Sequence, residues 1–165
     1  MLKAYKYRIY PNKAQAELIQ KTFGCCRFVY NQTLAYRKNL YATEKKSMSK
    51  FDCDKYMVQT LKSQYDWLRE VDKFALQQAV FAMDNAYQRF FKLHSGYPKF
   101  RSKHSNRRSY TTCITVANIK VLFDENKIQL PKLKLIKARL SRPFFGQIKR
   151  ATVSQTPTGK YFVSV

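Results

Sequence analysis

Two short stretches of the chain interleave cationic and aromatic side chains, Lys3-Ala4-Tyr5-Lys6-Tyr7-Arg8 and Tyr97-Pro98-Lys99-Phe100-Arg101. That pattern suits a polyanion carrying planar bases, because ammonium and guanidinium groups neutralise phosphates while rings stack on exposed bases. Lys103, Arg107 and Arg108 extend the second stretch with no acid among them. Lys3, Lys6, Arg8, Lys99, Arg101, Lys103, Arg107 and Arg108 are therefore the candidate phosphate or RNA contacts.

Bond-breaking chemistry has much less to work with. Metal-assisted phosphodiester cleavage needs converging carboxylates that hold about two divalent ions roughly 4 Å apart. The 10 Asp and Glu residues are scattered. Asp124 and Glu125 fall in an apparent hairpin turn, and Asp52, Asp54, Asp66, Glu70, Asp72 and Asp84 fall in a helical region where capping and surface roles account for them. There is no phosphate-binding Walker loop, no nucleophile elbow and no H-E-x-x-H pair. Cys25, Cys26, Cys53 and Cys113 have no C-x-x-C spacing, and His94 and His104 are the only histidines. Neither a zinc site nor a catalytic residue is assigned, and the cysteines read as small core residues.

The whole chain is strongly cationic: 32 Lys and Arg against 10 Asp and Glu give a formal charge of +22 in 165 residues. The excess is uneven, +7 over residues 1–84 and +15 over residues 85–165. Self-repulsion on that scale is relieved by a polyanion, and duplex DNA carries one phosphate charge per about 1.7 Å of axis. Hydrophobic residues at 45% and aromatics at 15% lift the chain well clear of the disordered regime, and the length suits one domain or two small ones. No apolar run approaches the roughly 18 residues of a spanning helix, and the opening MLKAYKYRIYPNK lacks an apolar signal core. A cytoplasmic chain with no membrane partner is expected.

These side chains must be positioned by a strand, several helices and then more strands. Leu2–Tyr10 alternates with period two and stops at Pro11-Asn12. Asn12 then caps a helix to about Leu40, with Leu18, Thr22, Cys25, Val29, Gln32 and Tyr36 on its inner face. A loop over Tyr41–Lys50 precedes a second helix over Asp52–Ser63. Asp72 caps a third, whose Ala75, Ala79, Ala82, Ala86, Phe90 and Leu93 form the clearest helical seam in the chain. After Ser109 six β-prone runs follow, Tyr110–Val116, Ile119–Phe123, Lys127–Leu130, Leu133–Leu140, Gly146–Gln155 and Lys160–Val165. A lone N-terminal strand is unstable, so it is expected to join the C-terminal strands, with the helices inserted between. The fold class is thus α+β: a small antiparallel β-barrel of OB-like kind with an inserted helical bundle.

Arg8-Ile9-Tyr10-Pro11-Asn12 with Gln15 and Leu18, then Arg27-Phe28-Val29-Tyr30-Asn31, resembles the opening of the OrfB/TnpB transposase family. These are transposon-encoded RNA-guided nucleases similar to type V CRISPR effectors. Trp67-Leu68-Arg69-Glu70-Val71-Asp72-Lys73-Phe74-Ala75-Leu76-Gln77, Ala86-Tyr87, Phe90-Phe91 and Gly96-Tyr97-Pro98-Lys99-Phe100-Arg101-Ser102-Lys103 follow the same family's pattern in order.

The resemblance implies a barrel-like wedge domain from residues 1–10 and 109–165, a helical recognition domain over 11–95 and a basic linker over 96–108. It implies as partners a guide RNA from the transposon end and target double-stranded DNA, with sequence choice delegated to base pairing. Carried across by motif, Lys73, Phe74, Gln77 and Thr115 would approach the transposon-adjacent DNA motif, Gln77 through its amide on adenine and Lys73 on phosphate or guanine. The family's RuvC-like nuclease carboxylates and zinc-binding insert, with their Mg and Zn, belong beyond the position of Val165. The chain is accordingly expected to match the front third to half of such a protein and to need no cofactor. A fragment, a truncated remnant and an interrupted reading frame all fit, as does a partner in the form of a separate RuvC-containing chain. A structural RNA-binding protein is the generic alternative.

Overall fold

The computed structural model describes residues 2–104 and 108–165, which form two compact units, Met1–Phe23 with Asn106–Val165 and Gly24–Ser105. The first unit is built on a seven-stranded antiparallel sheet of β1 (Lys6–Tyr10), β2 (Arg108–Cys113), β3 (Lys120–Leu122), β4 (Lys127–Leu130), β5 (Lys134–Arg139), β6 (Arg150–Gln155) and β7 (Tyr161–Ser164). Their order is β2-β6-β7-β1-β5-β4-β3. The N-terminal strand is central, bonded to β7 on one side and β5 on the other. Alternation decides its faces: Tyr7 and Ile9 are each 1% exposed, whereas Lys6 and Tyr10 are on the open side.

The expected barrel is not closed. β2 and β3 are the two edges, with no ladder joining them. They are nonetheless consecutive in sequence, and the seven steps from Cys113 to Lys120 reach at most about 24 Å, less than the roughly 29 Å that six flat inter-strand spacings require. The sheet must therefore curl. β3 has only three residues, all paired with β4, and its other edge is not laddered to β2.

The inner face is covered by the start of α1 (Lys13–Glu44). Asn12 caps it reciprocally with Gln15: the Gln15 N–H donates to Asn12 Oδ1 at 2.8 Å, and the Asn12 N–H donates to Gln15 Oε1 at 3.0 Å. The same Gln15 side chain donates to the carbonyls of Leu133 and Leu135 at 3.0 and 2.8 Å, so one amide ties the helix start to β5. Gln20 bonds Gln155 and Tyr161, and Phe23 meets Tyr110 edge-on at 5.8 Å.

The second unit holds the rest of α1 with α2 (Lys50–Tyr56), α3 (Lys62–Gln64) and α4 (Lys73–Leu93). A π-helical turn, Met57–Leu61, joins α2 to α3 and buries Met57 and Leu61 together, and a 3-10 turn, Asp66–Glu70, buries Leu68. Ser49 and Asp52 form a capping box on α2, and Asp72 caps α4 through the Phe74 N–H at 3.0 Å. The helix after Pro11 runs to Glu44 rather than Leu40, and in its last turn the Thr43 hydroxyl donates to the Asn39 carbonyl.

Both helical seams depart from the expected spacing. On α1 Thr22, Cys25 and Val29 are buried, but the stripe passes through Ile19, Thr33 and Arg37 rather than Leu18, Gln32 and Tyr36. On α4 the buried line leaves the alanines after Ala79 for Val80, Met83, Asp84 and Tyr87, and Leu93 is exposed.

The slip brings Arg37 and Asp84 together, 8% and 6% exposed, with Arg37 Nη1 to Asp84 Oδ1 at 3.0 Å. The guanidinium lies 4.0 Å from the Tyr87 ring centroid and packs beside Cys53 and Met83 sulfur. Asp84 is thus no surface acid.

A buried pair stabilises little net but is costly to break. Asp84→Ala is expected to cost about 3–5 kcal/mol in urea unfolding, and replacing both partners by Leu and Met to recover most of it. A cost below about 1 kcal/mol for the single substitution would contradict the burial.

Candidate nucleic-acid interface

The solvent face of the sheet carries cations directly opposite cations. In the antiparallel register Arg8 faces Arg139 on one side and Phe162 on the other, and Lys127 faces Lys137, whose other neighbour is Tyr10. Residues opposite one another share a face of the sheet, so like charges at such positions destabilise the pair. Aromatic faces take the place of counter-ions: Arg8 lies 4.9 Å from the Tyr10 centroid and 5.8 Å from that of Phe162, and Lys6 Nζ lies 4.8 Å over Phe162. Arg8 Nε is buried without a hydrogen-bond partner. Towards β6 and β2 the same face turns to hydroxyls, with Thr152 opposite both Ser164 and Thr111, and Ser154 opposite Ser109. The unit that holds this sheet has 17 basic and 3 acidic residues, a net +14.

Lys3, Lys6 and Arg8 are thereby placed at or beside this face, and Lys3 is exposed. Arg108 opens β2 and is exposed, its guanidinium 3.3 Å from Gln155 Oε1. Arg107 lies outside the described residues. Sequence reasoning missed Lys127, Lys137 and Arg139. The alternation Ile136, Lys137, Ala138, Arg139 was the available signal, since period two puts the cations of a half-buried strand on one side.

In the helical unit the basic stretch after α4 is stitched to α1 over much of its length. Helix α4 ends at His94 in the left-handed conformation (φ 53°), one residue before the Ser95-Gly96-Tyr97-Pro98 stop. The Asn31 amide then acts as a piece of backbone: its Nδ2 donates to the Arg101 carbonyl at 2.9 Å, and its Oδ1 accepts from the Arg101 N–H at 2.8 Å. The Arg101 guanidinium lies 3.9 Å from the Tyr30 centroid. Lys38 Nζ sits 4.7 Å over both the Tyr97 and Phe100 rings, and the Tyr97 hydroxyl bonds that of Tyr87 at 2.9 Å. Burial and that bond push the Tyr87 hydroxyl above its ordinary range. Lys99, Arg101 and Lys103 are presented outward from an anchored segment.

Lys73, Phe74 and Gln77 occupy the first two turns of α4, with Lys73 and Gln77 four residues apart on one face. Gln77 Nε2 lies 3.4 Å from Asp54 Oδ2, which leaves its carbonyl oxygen and second amide proton free of that contact. Lys73 Nζ lies 5.2 Å over the Phe74 ring. Nearby, burial and the charges of Arg69 and Lys73 hold the Lys62 ammonium below its ordinary pKa, as a strongly positive environment requires. Thr115 belongs to the other unit. There its N–H donates to Asn118 Oδ1 at 2.8 Å in the β2–β3 loop, and its side chain is exposed.

Among the described residues no three His, Cys, Asp or Glu side chains converge as metal ligands. Burial pushes the Cys53 thiol up to about 11 and the Cys26 thiol higher still, so both are protonated at neutral pH and inert as nucleophiles. Among the described residues no helix is long and apolar enough to cross a membrane.

Residues 1–46, which here form β1 and α1, match the helix-turn-helix domain of OrfB type. The chain is 32% identical over 170 residues to a protein of Streptomyces pristinaespiralis named RNA-guided DNA endonuclease. It is 27% identical over 165 residues to the protein of Escherichia coli K12 named RNA-guided DNA endonuclease InsQ. Each match covers 99% of this chain, which spans 40% of the length of either relative. It is also 37% identical over 114 residues to virulence protein VsdF of Salmonella dublin, covering 63% of this chain and 96% of that protein.

Within the matched stretch Asn31 supplies the two hydrogen bonds that hold the anchored segment, beside the contacts of Tyr30 and Lys38. Asn31→Ala removes both hydrogen bonds to Arg101, each worth about 1 kcal/mol. Exchange of the Arg101 amide proton is expected to rise about fivefold or more, with the helical content unchanged by circular dichroism. Unaltered protection would show that the segment is held by its rings alone.

Proposed function

Because the chain belongs to the OrfB/TnpB transposase family, we propose that its 165 residues bind nucleic acid and do not cut it. In this proposal the curled sheet is the family's wedge, the helical unit is its recognition region, and the polyanions are guide RNA and target DNA. The names of the two endonuclease relatives support that pair of partners. The chain spans 40% of the length of the two endonuclease relatives, and cleavage, with any Mg or Zn, is left in this proposal to the part of those proteins that the match does not cover.

The observation that carries the proposal is the register on the solvent face, Arg8 against Arg139 and Lys127 against Lys137. A sheet that served only its own stability would place acids across from these cations. Phosphates close to both rows turn that repulsion into attraction, and counter-ion release adds a salt-dependent affinity that every sequence shares. Sequence reading is assigned to the start of α4, where Gln77 offers an amide and Lys73 a point charge, with Phe74 beside them; Thr115 is assigned to DNA as well. Lys3, Lys6, Arg8, Lys99, Arg101, Lys103 and Arg108 are assigned to phosphate.

Two experiments separate these roles. Arg139→Glu places an acid opposite Arg8. It is expected to stabilise the free chain by about 0.2–1 kcal/mol while weakening binding to RNA and DNA of every sequence and lowering the salt slope by about 1. Loss of both stability and affinity would point to a purely structural Arg139.

Lys73→Ala or Gln77→Ala is expected to cost about 1–3 kcal/mol per lost base contact on the cognate flanking motif, and Arg108→Ala to weaken all sequences alike. Equal losses on every DNA from both sets would overturn the assignment to α4. Metal-dependent cutting by the purified chain would overturn the binding-only role.

A further inference from the structure

Beside the cationic rows, the same unit contains a cavity of about 810 Å³ whose lining includes Lys3, Tyr5, Phe144, Phe145, Lys149 and Arg150. Thr152 and Ser164, directly opposite each other on β6 and β7, also line it. On the sheet's outer face these two continue the row that begins at Lys6, since Lys6 is opposite Ser164. No acidic side chain contributes to the lining.

The wall of this cavity is the segment between β5 and β6, and it is fixed at two points. The Tyr7 hydroxyl donates to the Arg142 carbonyl. Phe144 stacks on Tyr5 with centroids 5.0 Å apart and meets Phe123 edge-on at 5.5 Å, while the Arg142 guanidinium lies 5.6 Å from the Tyr5 centroid. The next residue, Phe145, is 99% exposed. It precedes Gly146, whose φ of +138° lies where a side chain is strained. A ring held in water beside an anchored aromatic pair, with three cations around it, combines the two parts of a single-strand site: a stacking platform and charge for the backbone.

Resting on the nucleic-acid reading above, we infer that this cavity takes one unstacked nucleotide of a single strand. Its base stacks on Phe145, and its flanking phosphates lie against Lys3, Lys149 and Arg150. A paired base in a duplex has its faces covered by its neighbours and cannot enter. The site therefore distinguishes single from double strands, which the cationic rows do not.

The test is fluorescence anisotropy of the full chain with oligothymidylate and oligouridylate of about ten nucleotides, a duplex, and an abasic oligonucleotide of equal charge. Phe145→Ala should weaken single-strand binding about 5- to 150-fold, leave the duplex and the abasic strand within about twofold, and be reversed by Phe145→Trp. The larger loss among the two single strands names the source, RNA or DNA. Because Phe145 makes no buried contact, both variants should melt with the wild type.

An unchanged single-strand affinity, or an equal loss on the duplex, would overturn the pocket while leaving the phosphate face intact. A wild-type chain that binds neither strand nor duplex would overturn the functional reading itself. A dimer of the wild type that Phe145→Ala dissolves would assign the cavity to a second copy instead.

Discussion

The hydrogen bonds of β1 on both of its edges are the constraint from which the rest of this architecture follows. A five-residue strand at the very start of the chain pairs with β5 and β7, each more than a hundred residues later, and sits in the middle of the sheet. Neither half of the sheet is continuous without it. The helical stretch between β1 and β2 is consequently an insertion that leaves and returns, and the sheet forms only after the last strand is available. Such non-local pairing carries a large loop-closure cost. Tyr7 and Ile9 offset part of it by placing fully buried side chains at the centre of the inner face.

Charge is handled in opposite ways in the two units. In the helical unit the one buried guanidinium described above has a carboxylate at 3.0 Å and a ring at 4.0 Å, so its charge is neutralised within the chain. On the sheet, cations face cations, and rings supply only partial compensation. The first arrangement serves stability. The second leaves like charges opposed on one face of the sheet, and it is on this face that the proposed polyanion would act. The rings beside Arg8 and Lys6 leave the charge of those side chains uncancelled.

The segments linking elements are built for presentation. Asn31 substitutes a side-chain amide for a strand partner and holds the Arg101 backbone without covering its neighbours Lys99 and Lys103. Phe144 does the same for Phe145 by stacking on Tyr5. In both places one residue's contact fixes the chain while residues near the fixed point stay exposed.

Local periodicity and turn chemistry made much of this legible in the sequence. The caps at Asn12 and Asp72 and the run Lys127–Leu130 are short-range patterns with direct steric and hydrogen-bonding causes, and each stands in the structure where the pattern puts it, whereas the alternation read over Leu2–Tyr10 becomes a strand only over Lys6–Tyr10. The family was legible too, because its motifs are ordered along the chain. What the sequence could not decide depends on partners distant in the chain. A helix of 3.6 residues per turn admits adjacent stripes, and the one buried here is set by what packs across it, apolar side chains such as Ile19, Leu34, Val80 and Met83 together with the Arg37–Asp84 pair. That the barrel stays open, with β2 and β3 as unjoined edges, is a property of the assembled sheet. The positions of like charges are likewise a matter of register: composition shows 32 cations, but which of them face one another is set by hydrogen bonds between strands that the chain brings together only when folded.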